Sequence, residues 1–171
     1  MLQKFYLFLK GVIEHLMVVA MTLLFWQFPQ LYQQYLDALT GAHYEARKAL
    51  SLLEESARER GKSLRDYIEK HLKSQDNDFR TSGKNMEKAL QRESFYRSAL
   101  DKLKRAPFYL WWWYFIIYVE FGLLREISFQ PGIPLSTAGL FYAAFGMLTG
   151  MGISYLVFGI WGSFFTKKTR I

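Results

Sequence analysis

The stretch TAGLFYAAFGMLTGMGISYLVFGIW, Thr137 to Trp161, carries no charged residue, and Lys167, Lys168 and Arg170 close it off. Crossing the hydrocarbon core of a bilayer takes about 20 helical residues at roughly 1.5 Å each, so this run is long enough to span. It makes the chain an integral membrane protein in expectation, and the remaining sequence is read around it.

A second apolar run, Gly11 to Phe28, follows Lys4 and Lys10. It resembles the apolar part of a signal peptide, but no small-residue cleavage site follows, and the chain continues as FWQFPQLYQQY. An uncleaved anchor is the reading. A third run, FYLWWWYFIIYVEFGLL, covers Phe108 to Leu124. Its three adjacent tryptophans suit the headgroup region better than the bilayer centre, and Glu120 opposes a full crossing.

Positive charge sets the expected orientation. With two spans, both termini face the cytoplasm, with Lys4 and Lys10 at one end and Lys167, Lys168 and Arg170 at the other. No Lys or Arg lies between Pro29 and Ala46, or between Glu126 and Ser136, as befits the opposite face. Three spans would place one basic cluster outside. Two spans are favoured, with 108–124 lying in the outer interface, and the three-span alternative stays open. Trp111, Trp112 and Trp113, together with Lys167, Lys168 and Arg170, are the expected interfacial anchors.

The whole chain is 51% hydrophobic, 18% aromatic and 22% charged. That is too polar for spans alone and very aromatic for a soluble domain. Its net charge of +7 does not indicate nucleic-acid binding, because the bases interleave with acids, as in EESARERGK. Anionic lipid headgroups are the better match for the surplus. With no cysteine, disulfides and thiol chemistry are excluded.

Between the spans the spacing is helical. Pro29 suits a first turn, and Leu31, Tyr35, Ala38, Ala42, Ala46, Ala49, Leu53 and Ala57 recur at steps of three and four. Gly61 stops this helix, Ser63 caps a short one through Leu72, and a third runs from about Phe79 to Leu103. Two long helices joined by a short one give an antiparallel hairpin. The predicted fold is therefore an all-α membrane protein of two, or alternatively three, transmembrane helices with an inserted hairpin. Its segments are an anchor over 1–28, the hairpin over 29–107, the aromatic segment over 108–135, and a final span with its basic tail over 136–171.

Chemistry is sparse. His15, His43 and His71 show no metal-ligand spacing, and His43 and Glu45 diverge around a helix. TSGKN is not a phosphate loop, since Asp78 stands where the first glycine is required and Asn85 where Ser or Thr is. No nucleophile–base pattern is visible, so neither an enzyme nor a cofactor is expected. In the last span Gly139, Ala143, Gly146 and Gly150 share one face, and Gly146 and Gly150 form G-x-x-x-G. Small residues there allow close helix packing, in an oligomer or against the first span.

FPQLYQQYLDALTGAHYEA, SQDNDFRTSGKNMEKALQRESFYRSAL and FQPGIPLSTAGLFYAAFGMLTG together resemble the DUF2937 family of bacterial membrane proteins. The most specific part is Phe129, Pro131, Pro134, Leu135 and Gly139. The resemblance implies a bacterial inner-membrane protein of unassigned function and supplies no catalytic residues. It suggests architectural roles for Pro29, Gly83, Pro131 and Pro134.

The function expected is non-enzymatic: self-assembly, or service as an accessory subunit of a larger membrane complex. The partners are then the lipid bilayer and a second copy or another membrane protein. The alternative is a component of a transport or channel assembly, with Glu14, His15 and Glu120 along a polar path.

Overall fold

A computed structural model describes residues 2–132 and 134–166. The anchors proposed at Lys167, Lys168 and Arg170 lie outside the described residues. Those described form helices and connections, with no strand among them. The helices are α1 (Leu2–Arg58), α2 (Leu64–Leu72), α3 (Asn77–Arg105), α4 (Trp111–Tyr118), α5 (Phe121–Glu126) and α6 (Thr137–Thr166). Among the described residues, α1 and α6 are the two helices long and apolar enough to cross a membrane. The chain divides into two compact units, 1–33 with 129–171, and 34–128.

Pro29 departs from its expected place. It sits inside α1, which runs through it for 57 residues, rather than at the first turn of a new helix. An interior proline removes one hydrogen bond and presses on the carbonyl four residues back, here Phe25. Just before it, Phe28 packs on Tyr142 at 5.0 Å, and the Trp26 indole donates to the Pro134 carbonyl at 3.2 Å. Just after it, Tyr32 and Tyr35 are fully buried.

In the first unit, α6 packs on the N-terminal part of α1. A Cβ on Gly146 would stand 2.6 Å from the Met21 carbonyl oxygen, and one on Gly150 2.9 Å from the Val18 Cα. The glycines are therefore what lets the two backbones meet. Outside this contact the surface is apolar, with Phe8, Leu16, Leu24, Leu148 and Leu156 all exposed.

In the second unit, α1 ends as Gly61 adopts a positive φ of 63°. Lys62 N–H reaches Ala57 C=O at 3.0 Å and Gly61 N–H reaches Arg58 C=O at 2.9 Å. Paired bonds of this kind satisfy the last carbonyls of a helix. Ser63 caps α2 as expected, accepting from Asp66 N–H at 3.1 Å. Asp76 caps α3, which starts at Asn77, two residues before the expected Phe79.

The buried line on α1 differs from the alanine stripe. Leu36, Leu39, Leu50 and Ala57 are buried, with His43, Ala46 and Leu53 between them half-buried, and Ala49 is exposed. These positions alternate steps of three and four, the seam of a helix that packs along its length. On α3 the matching line is Glu93, Tyr96, Leu100 and Leu103.

Candidate functional site

Two constructions stand out, one in each unit. The first is the glycine face. Gly139, Gly146 and Gly150 are buried against α1 or the segment leading into α6, and Ala143 is half-buried beside them. Tyr142 and Ser154 extend this buried face, and the sequence reading, restricted to small apolar residues, omitted both. The segment before α6 is tied down as well. Gly132 N–H donates to the Gln27 side-chain oxygen at 3.2 Å, and the Ser136 hydroxyl accepts from Gly139 N–H at 3.1 Å. Lower on the same pair, Glu14, His15 and Ser154 line an open cleft of about 380 Å³. Glu14 is engaged there by Lys10 at 3.6 Å, and His15 Nδ1 lies 2.6 Å from the Gly11 carbonyl.

The second lies where the aromatic segment breaks. It forms not one helix but a 3-10 turn at Phe108–Leu110, then α4 of 8 residues and α5 of 6. At roughly 1.5 Å per residue neither α4 nor α5 reaches across a core of about 30 Å. The break at Val119–Glu120 exposes backbone groups that a buried position must satisfy. The Tyr35 hydroxyl does so, donating to the Tyr118 carbonyl at 3.1 Å and accepting from Glu120 N–H at 2.9 Å. Its ring also meets Phe115 edge-on at 5.1 Å. Phe115 is buried, whereas Trp112, Trp113, Ile116 and Ile117 are exposed. α4 thus turns one residue inward and an aromatic face outward, while Trp111 donates from its indole to the Ala106 carbonyl at 3.0 Å.

Glu120 is not alone in this place. Burial pushes the Tyr96 hydroxyl up to about 12, helped by its hydrogen bond to the Glu120 carboxylate and by that group's charge. Tyr35 is also raised by burial; the Glu120 N–H pulls it back in part and the Glu120 charge adds to the rise. The other carboxylate oxygen of Glu120, Oε2, is buried with no hydrogen-bond partner. Of the three residues proposed for a polar path, Glu14 and His15 thus share one cleft, and Glu120 belongs to the tyrosine cluster of the other unit.

A buried polar pair escaped the sequence reading. Glu93, 3% exposed, lies 3.4 Å from His43 Nε2. The contact is close enough for charge attraction but is not aligned as a hydrogen bond, since His43 Nε2 has no hydrogen-bond partner. The signal was in the spacing: His43 is four after Leu39, and Glu93 is three before Tyr96. Both fall on the packing lines, and only their polarity hid them. Among the described residues no three His, Asp or Glu side chains group as a metal site.

These features define an all-helical protein with two candidate membrane-spanning helices. The chain belongs to the family described as protein of unknown function DUF2937, whose family model matches residues 9–167. No curated protein and no solved structure matches it.

Proposed function

We propose that this is a non-enzymatic, multi-pass protein of the bacterial inner membrane that acts by self-assembly or as an accessory subunit of a larger membrane complex. In this reading α1 and α6 cross the bilayer as a glycine-faced pair. The C-terminal part of α1, α2 and α3 form an antiparallel hairpin on the periplasmic side, and both termini are cytoplasmic. The observation that carries the reading is the outer face of α4. Trp112, Trp113, Ile116 and Ile117 stand exposed around a buried Phe115, an arrangement suited to headgroups or to a partner's apolar surface.

The glycine face is occupied within the chain, so assembly uses other surfaces, of which α4 is the one we choose for the test. Purification in mild detergent after crosslinking in cells tests this. The expected result is an oligomer or a co-purifying membrane protein, weakened by Trp113→Ala with Ile116→Ala. A crosslink-free monomer in every detergent, unchanged by those substitutions, contradicts it.

A further inference from the structure

The turn that joins α1, α2 and α3 forms a half-open cavity of about 510 Å³ lined by Arg60, Lys62, Lys70, His71, Tyr67 and Phe79, with no carboxylate among its lining residues. We propose that this cavity binds a phosphate group, with the cations holding the oxygens and the aromatic rings forming the wall.

Each part of the cavity is placed by a local rule. The helix stop at Gly61, with its positive φ, reverses the chain so that Lys62 leads straight into the Ser63 cap of α2. Arg60 lies over the Tyr67 ring at 5.4 Å, and one of its guanidinium nitrogens donates to the Ser56 carbonyl at 2.8 Å. That anchors the guanidinium while leaving further N–H groups of its planar fork for an oxyanion. Tyr67 meets His71 edge-on at 4.5 Å, and His71 Nδ1 lies 2.8 Å from the Tyr67 carbonyl. With Nδ1 donating to that carbonyl, Nε2 is left for the cavity.

The far wall depends on Gly83. A Cβ there would stand 2.7 Å from Leu72 N, so only glycine lets α3 approach the end of α2. Phe79, one turn earlier on α3, is thereby brought to 5.7 Å from His71.

Several other charged groups of this turn are engaged locally. Lys73 pairs with Glu69, Asp66 is engaged by Ser63 at 2.7 Å, and Asp76 accepts from Asp78 N–H at 2.8 Å. Lys62 and Lys70 enter no ion pair with described residues. Unpaired cations converging with a fixed guanidinium suit a phosphomonoester or diphosphate, whose oxygens take several charge-assisted bonds. Such a group could come from a soluble compound or from a lipid headgroup.

The full chain in phosphatidylcholine nanodiscs separates these sources. Titration calorimetry with inorganic pyrophosphate tests the soluble source, and capture of vesicles containing phosphatidic acid tests the lipid source. Saturable pyrophosphate binding, or vesicle capture without it, supports the site and names the source. In either case Lys62→Gln with Lys70→Gln weakens binding at least about tenfold. Lys102→Gln with Lys104→Gln, which alters basic residues of α3 outside the cavity, leaves it unchanged. Circular dichroism of both variants, matching that of the unaltered chain, keeps misfolding out of the comparison. Absence of both kinds of binding, or equal binding by the Lys62/Lys70 variant, overturns the proposal.

Discussion

The two units bury helix contacts of opposite character. Between α1 and α6 the contact is made by glycines, and the exposed side chains around it are apolar. Between α1 and α3 it is made by leucine, tyrosine and a His43–Glu93 pair, and the exposed side chains are largely charged. In lipid, apolar side chains gain little by leaving the solvent, so close backbone packing is what holds helices together. In water, burial of larger apolar groups contributes most, and a buried polar pair adds little because desolvation offsets its attraction. Along α1 the sequence changes in the same direction, from Leu-, Val- and Phe-rich before Pro29 to charged beyond Ala46.

The sharpest way to break this contrast is at Gly146. Gly146→Leu drives a side chain against the Met21 carbonyl and Phe25, the latter 2.7 Å from a Cβ at that position. It should cost about 3 kcal/mol or more, because backbone cannot yield as a flexible side chain does. Thermal unfolding in detergent, read against Gly152→Leu, checks this. A Cβ on Gly152 meets nothing within 4 Å, so that control should change little.

The seam of the second unit is sharpened by a double-mutant cycle. His43→Leu leaves Glu93 buried without its polar neighbour and should cost about 2 kcal/mol, below the usual range for a broken buried pair because His43 is partly exposed. His43→Leu with Glu93→Leu should recover most of that loss. If the double variant is no more stable than the single one, the pair is not the source of the cost.

A smaller effect is expected at Tyr96, where Tyr96→Phe should cost about 1 kcal/mol near neutral pH by removing a hydrogen bond to Glu120. The pH dependence follows from its raised value. The folded state holds the phenol proton more tightly than the unfolded one, so this contribution is complete below pH 10. It is lost as pH rises through about 12. Alkaline unfolding of Tyr96→Phe should therefore lack that part of the decline.

Much of this was legible in advance. Apolar length marked both candidate membrane helices, Ser63 and Gly61 marked the turn they build, and four-residue spacing marked the glycine face. What was hidden had physical reasons. Pro29 reads locally as a helix start, whereas α1 runs through it, beside contacts distant in sequence such as Trp26 with Pro134. His43 and Glu93 are polar residues on helix faces that apolar residues otherwise mark. The break at Glu120 depends on a hydroxyl 85 residues away, which no local pattern announces. The cavity where α1, α2 and α3 join likewise needs Gly83 to bring Phe79 beside His71.

The central claim is that α1 and α6 cross the membrane and the unit between them stands outside the cell membrane. Because the natural chain has no cysteine, Gln3→Cys, Ser56→Cys and Ser128→Cys can each be exposed to a membrane-impermeant thiol reagent on cells with a permeabilised outer membrane. The account predicts labelling at positions 56 and 128, and at position 3 only after the inner membrane is opened. Protection at position 56 with labelling at position 128 would contradict it, placing the helical unit in the cytoplasm and the aromatic segment across the bilayer.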